Sequence, residues 1–565
     1  MGTHRHHHRR HRRRLALVVV AAMALGACGD DGGDDAGETG DTTAARAPAA
    51  TTGGASTTAS AEEPDDVDRD GTLRIGMSFA GFHPDFTMVP NVATSWIGYV
   101  VHGTLLRQNV DGTIEPWLAR SARIVDPRTI DVELDPGRTY QDGTPFNAEN
   151  VKAGVLRNYA SPRAAQAFID GEYRALESIE VTGELTFRIH LNDDVAGSYY
   201  YALSQTDWAT TSPASPTFAE YPDPNLVGAG PYKLVSFEPD RELVLERWEE
   251  SPDAERAQIK RIEVVALAPD AFVNALRSGT VDYITGLSPQ VAEAVASDSS
   301  ILLEHVRQGN QAGVVYLNCK RHDGWDDARV RRALSLALDR EALSQNLYGG
   351  RAVPLDSFLV EEHPHYNPAV KGRNQRDVAE ARRLLAEAGY ADGIELNAMV
   401  QGGDTFGIRT LELVQASVAE AGIDVTITAS PNLVQDMFID RKAQALFVLG
   451  GVTRPGVAIL TSVYLGSNAN SCEVGLPAPD GTLPDAAEQR MIEIVKELRA
   501  LDQGSDEVEP LWYEAQELAL ENAWQPAILS PPWTRASSSR VGNPADLPLK
   551  ANYGPDVLSM YVRAE

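Results

Sequence analysis

Three cysteines, one dense histidine pair and a large excess of carboxylates are the groups in this sequence that could do chemistry. Cys319 and Cys472 lie in the body of the chain. In an exported protein such an even pair either forms a disulfide or stays as two buried thiols. His363-Pro364-His365 is the densest histidine pair outside the first residues. A metal centre needs three or four ligands at suitable spacing. No partner acid or histidine is recognisable here, so no metal site is expected. Pro364 with Glu361 and Glu362 points to a surface loop instead. No Gly-x-Ser-x-Gly elbow stands at a strand–helix junction, and no motif pairs two of the carboxylates. Neither a catalytic residue nor a cofactor is expected.

Cys28 ends a run of apolar or small residues, Leu15–Ala27, that follows six arginines and five histidines. A basic start and a short apolar stretch form an export-signal layout. The run is shorter than the roughly 20 residues that span a bilayer. Leu25-Gly26-Ala27-Cys28 resembles a bacterial lipobox, in which the chain is cut before the cysteine and the thiol is lipidated. Residues 1–27 are expected to be a signal peptide and Cys28 a lipid anchor on the outer face of the cell membrane. From 28 to 70 the chain is Asp, Gly, Ala, Thr and Ser with little to bury, which predicts a disordered acidic linker. Acids outnumber bases 80 to 50 over the whole chain, and the leader holds six of those bases. Nucleic acid and anionic lipid surfaces are therefore poor partners. No later stretch is long and apolar enough to span a membrane.

The remaining residues, from 71 to 565, exceed what one hydrophobic core supports, so two or more lobes are expected. Thr72–Met77 reads as a strand, and Thr129–Leu134 and Thr186–Leu191 alternate as half-buried strands do. Asp377 and Glu380 suit the cap of a helix that Gly389 stops. Ile394–Val400, Ile408–Ala421, Ile423–Thr428, Leu433–Arg441 and Ala445–Leu449 read as strand, helix, strand, helix, strand. Such units predict a parallel sheet with helices packed on it.

Several blocks together resemble the peptide/nickel-type extracellular solute-binding proteins, family 5. They are Tyr140–Val151 with its Asp142-Gly143 turn, Val227-Gly-Ala-Gly-Pro-Tyr-Lys-Leu234, and Phe272–Asp282. Leu317-Asn318 with Asp326–Arg340, and Leu384–Tyr390, complete the set. In the fourth block Val330, Ala333, Leu334, Ala337 and Leu338 form a buried stripe, and Arg329, Arg331 and Arg332 fall on the exposed side. The resemblance implies an α/β, two-lobed periplasmic-binding-protein fold (type II, large peptide-binding class). A ligand cleft lies between the lobes, and two hinge crossovers join them. Lobe 1 is expected over 71–305 and 525–565, with an extra subdomain at about 85–210, and lobe 2 over 306–524. The crossovers are expected near Leu303–Leu317 and Ala523–Leu529. The implied function is the solute-binding lipoprotein of an ABC importer, a monomer that captures a peptide or peptide-like solute. It would deliver that solute to a membrane permease and its ATPase. A sensory or ligand-presenting surface protein of the same fold is the alternative, and a secreted hydrolase a third.

The resemblance also nominates site residues. Peptide receptors of the family anchor an amino group with an acid in a stretch that matches Leu449–Pro455 here, which has none. Gly450 and Gly451 occupy that place, and Arg454 either faces an anion or points to solvent. A buried ammonium there would lack a counter-charge. Arg409 matches an arginine that holds a ligand carboxylate in dipeptide-binding relatives, or is an exposed arginine at a helix start. A guanidinium suits a carboxylate bidentately. Phe86, Met88 and Val89 follow the first strand and either line an apolar pocket or pack in the core. Trp208 and Trp533 either wall the ligand or belong to the core.

Overall fold

Short strands with helices between them organise the chain into two separately cored bodies. In a computed structural model, residues 66–78, 92–109, 113–160, 173–205, 208–215, 226–306, 312–449, 456–465, 471–547 and 554–564 are described. All belong to one unit, Glu63–Glu565. Cys28, the leader and the linker up to residue 65 lie outside the described residues.

Strand β1 (Thr72–Met77) and helix α1 (Val92–His102) come first. An antiparallel sheet follows, made of β2 (Ala119–Asp126), β3 (Thr129–Leu134), β4 (Leu176–Val181) and β5 (Thr186–Leu191), in the order β2-β3-β5-β4. Helix α2 (Ala148–Tyr159) interrupts it and α3 (Ala196–Ala202) follows it. In β3 and β5 every second side chain is buried, as their alternating sequences require. Asn147 caps α2 by accepting the Asn150 N–H.

Next come β6 (Tyr232–Glu238), β7 (Glu242–Arg247), β8 (Arg261–Ala266), β9 (Tyr283–Thr285) and β10 (Leu302–Val306). The second body then runs through β11 (Val314–Leu317), α4 (Ala328–Ala337), α5 (Arg340–Tyr348) and α6 (Val378–Glu387). It continues with β12 (Ile394–Gln401), α7 (Thr405–Ala419), β13 (Ile423–Ser430) and β14 (Ala445–Val448). Helices α8 (Ala486–Ala500) and α9 (Val508–Asn522) close it, and β15 (Trp533–Ser537) returns to the first body. The first body's sheet has the order β10-β15-β9-β1-β8-β7-β6, and the second body's β11-β14-β12-β13. Within the latter, β12, β13 and β14 are parallel, as the repeated strand–helix pattern predicts.

Two large apolar cores result. One gathers Leu73, Trp96, Leu118, Ile189, Val264 and Val562, and the other Leu317, Trp325, Leu334, Leu385, Val414 and Trp512. The chain passes between them twice. It leaves after β10 and enters β11. On the way back, Gly313 donates to Leu529 O (2.6 Å), Ile528 donates to Gly313 O (2.7 Å), and Val306 pairs with Trp533. The crossings thus run side by side as a two-strand hinge. No helix among the described residues is long and apolar enough to cross a membrane.

One local expectation changes, and two gain detail. Arg331 is buried, not exposed, and donates to the carbonyls of Trp325, Asp326 and Asn522 at 3.0, 2.7 and 2.9 Å. Burial holds its guanidinium down to about 10. Those three carbonyls need a donor, so the cation is retained inside. The expected helix at Leu433–Arg441 is present over 433–439, wound as a π-helix at Gln435–Ile439. His363 and His365 are half-buried against Trp512, with the His365 ring stacked on the indole at 5.4 Å. Burial lowers His363 to about 4. The pair lies in a surface turn with exposed Glu361, Glu362 and Pro364, as expected, and both rings rest on Trp512.

Candidate functional site

Strand direction locates the site. β1 is parallel to β8 and β9, so Met77 and Thr285 end at one edge of the first sheet. β15 runs against β9, which starts it, at Trp533, on that same edge beside Val306. In the second sheet the carboxyl ends are Gln401, Ser430 and Val448, and β11 begins among them at Val314. The chain leaves one edge at Val306 and enters the other at Val314, so the two edges border one cleft. Crevices at the carboxyl ends of parallel strands are where open α/β sheets bind ligands.

On the first edge, Trp533 is half-exposed and fixed. Its indole N–H donates to Thr285 Oγ1 at 2.9 Å and to Asp546 Oδ2 at 3.1 Å. Gly286, at φ +70°, lies so close that an added Cβ would meet the ring at 2.8 Å. Glycine is required there on both counts. Asp546 also accepts from the Tyr283 hydroxyl at 2.7 Å, and Arg535 sits between Glu304 (2.8 Å) and Asp546 (3.5 Å). Burial pushes the Asp546 carboxyl up, against the pull of these donors. Burial, and then the neighbouring Asp546, hold the Tyr283 phenol well above its usual range. The result is a rigid indole platform on a buried polar base.

On the second edge, Leu449 is the last described residue before Gly450, Gly451 and Arg454, which lie outside the described residues. Phe86, Met88 and Val89, which follow β1, also lie outside them. Gly456 resumes the chain and packs against the Tyr201 ring of α3, where an added Cβ would be 3.2 Å from Cε2. Tyr201 is thereby brought to the second body's edge.

The block Gly228-Ala-Gly230 explains how the carboxyl end of α1 is held. The N–H groups of Ala229 and Gly230 donate to His102 O and Val101 O, carbonyls at the end of α1, each at 3.0 Å. A Cβ at Gly228 or Gly230 would fall 2.2–2.3 Å from α1 backbone atoms. This glycine pair is a packing device, not a phosphate loop.

The nominated residues divide. Trp533 stands at the cleft. Trp208 does not: it is 0 % exposed in the first core, with its N–H spent on the Tyr199 hydroxyl at 3.2 Å. A ring with no exposed surface has nothing to offer a solute, so Trp208 is core. Arg409 is exposed on the second turn of α7 and donates to Asn346 O of α5 at 3.1 Å. Cys319 and Cys472 are joined in a disulfide, with Cα atoms 4.4 Å apart. Thr285, Asp546, Arg535 and Tyr201 were not anticipated. Their partners lie far along the chain, and no local spacing announces them. Open depressions lined by Asp392–Glu395 and Gly422–Asp424 lie at the amino ends of β12 and β13, the edge away from the cleft. No group of three or more metal-ligating side chains occurs among the described residues.

Fold and cleft together define a two-lobed α/β protein. The model of the bacterial extracellular solute-binding proteins, family 5, matches residues 113–470. The chain belongs to that family. It is 23% identical over 357 residues to the glutathione-binding protein GsiB of Pectobacterium atrosepticum, covering 62% of this chain and 65% of that one. It is 26% identical over 339 residues to the heme-binding protein A of Haemophilus influenzae, covering 55% and 61%. The matches thus span less than two thirds of these relatives. Among solved structures, NikA from Brucella suis in complex with Fe(III)-EDTA superposes with a TM-score of 0.70 at 21% identity, covering 87% of this chain and all of that one. DppA from Helicobacter pylori in complex with the peptide STSA gives 0.67 at 21%, covering 88% and 99%. These likenesses establish the fold.

Proposed function

We propose that this chain is the solute-capturing lipoprotein of an ABC importer, held outside the cell membrane by lipid on Cys28. Its role is binding rather than catalysis. The solute is enclosed between the lobes and handed to a permease driven by an ATPase. One observation carries the reading: two independently cored lobes, joined by a two-strand hinge, present a pinned, half-exposed tryptophan at the edge of their cleft. A ligand that touches both lobes favours the closed form through its differential affinity.

The solute class follows from the residues. No acid stands at Leu449–Pro455 to take a free amine. Trp533 suits an apolar or planar group, and Arg409 suits a carboxylate. The relatives' named ligands, a glutathione, a heme and a tetrapeptide, mark the range to screen. A thermal-shift screen of the purified protein against peptides, glutathione, heme and metal chelates tests this. A solute at 100 times its dissociation constant adds about 2.7 kcal/mol of stability. Protein from the native host that carries no solute, together with no shift across the screen, would count against capture. Cys28→Ala tests the anchor: the protein should leave the membrane fraction, and its retention there would refute lipidation.

A further inference from the structure

Helix α3 belongs to the first lobe, through Val195, Ala196 and Tyr199 in its core, and α8 to the second, through Met491, Ile494, Val495 and Leu498. The two meet without sharing an apolar core. Gly197 of α3 lies directly on the chain end of α8. An added Cβ would fall 2.6 Å from the Leu501 carbonyl carbon and 3.1 Å from Arg499 O, and closer still to Leu501 O. Beside this contact Arg499 Nη1 is 3.5 Å from Asp193 Oδ2, and Asp193 is largely exposed. Tyr201, one turn on, covers Gly456 of the second lobe.

A glycine seated on a backbone carbonyl, a long ion pair and the Tyr201 ring on Gly456 join the two lobes here, while their apolar cores stay separate. Such a contact can part without exposing a core, unlike the packing inside either lobe. Among the described residues it stands apart from the hinge strands and ties the same two lobes.

We propose that Gly197–Leu501, with Asp193–Arg499, is a clasp that holds the lobes closed in the solute-free protein and so sets how much of it is closed before binding. The proposal rests on the solute-binding reading, but its contacts are independent of any ligand. Because apparent affinity scales with the binding-competent fraction, a clasp of this kind tunes affinity without touching the solute.

The test is a distance measurement on the full chain without solute. Nitroxide labels go on E177C and K496C in a C28S background, so that no other free thiol takes label. Pulsed electron resonance should give one short, narrow distance. Gly197→Val, which forces a side chain into the Leu501 carbonyl, should abolish that peak in favour of a longer, broader one. Arg499→Ala should lose part of it, and serves as the test if the valine variant does not fold. A parent protein that is already long and broad, or two variants that keep the parent peak, would overturn the clasp. Neither outcome would bear on whether a solute binds.

Discussion

Replacing Asp546 tests the platform under Trp533 with a sign as well as a size. The carboxyl accepts from Tyr283, Trp533 and Arg535, yet each donor keeps a second acceptor: Ala545 O, Thr285 Oγ1 and Glu304 respectively. Asp546→Ala therefore removes a charge partner and opens a small void, but strands no donor completely. The expected cost is about 2–3 kcal/mol. Asp546→Asn keeps the shape. Its Oδ1 can accept the indole N–H while its Nδ2 donates to the Tyr283 oxygen, so the cost is about 1 kcal/mol or less. Burial raises the carboxyl above its ordinary 3.8 in the folded chain. The folded state then binds the proton more tightly than the unfolded state, and the parent loses stability as pH climbs from 3.8 through the raised value. The asparagine variant does not titrate there. The gap between parent and Asn variant should therefore shrink from pH 4 to pH 7. Urea unfolding of all three proteins at both pH values measures this. A gap that widens toward neutral pH, or an Asn variant as costly as Ala, would show that the carboxylate itself is stabilised and refute the reasoning.

Other expectations follow from the same contacts. Cys319 and Cys472 are 153 residues apart, and cross-linking so long a loop restricts the unfolded chain by about 5 kcal/mol at most; a C319S/C472S variant should show a large fall in urea midpoint, and no fall would mean the bond adds nothing. Burial holds His363 to about 4, below its unfolded value of 6.5, so stability should drop as pH falls through that window. His363→Asn should flatten the drop, worth on the order of 2–3 kcal/mol, in thermal melts from pH 7 to 4. Arg409→Ala should weaken a carboxylate-bearing solute by about 1.5–3 kcal/mol in calorimetry; unchanged affinity would place the residue outside the site.

Local pattern carried the strands and caps. The alternation of Thr129–Leu134 and the Asp377 cap, which accepts the Glu380 N–H, needed only near neighbours. Burial of Arg331 was hidden because helical spacing sees its own helix, not the carbonyl of Asn522 brought over it by α9. Trp208 and Trp533 look alike in sequence. One is sealed by Tyr199 and the other is pinned at an edge by Asp546, and only the assembled sheet separates them. The platform's members, Tyr283 and Asp546, are 263 residues apart, as no short motif could record.

Capture of a solute at the cleft edge marked by Trp533 is open to a direct test. Native mass spectrometry of the protein purified from its own host, followed by rebinding of the recovered compound to Trp533→Ala, tests it most directly. One bound small molecule per chain is expected, with at least a tenfold weaker complex for the variant, equivalent to about 1.4 kcal/mol. A chain that carries no solute, or a compound that binds the variant as tightly as the parent, would contradict it.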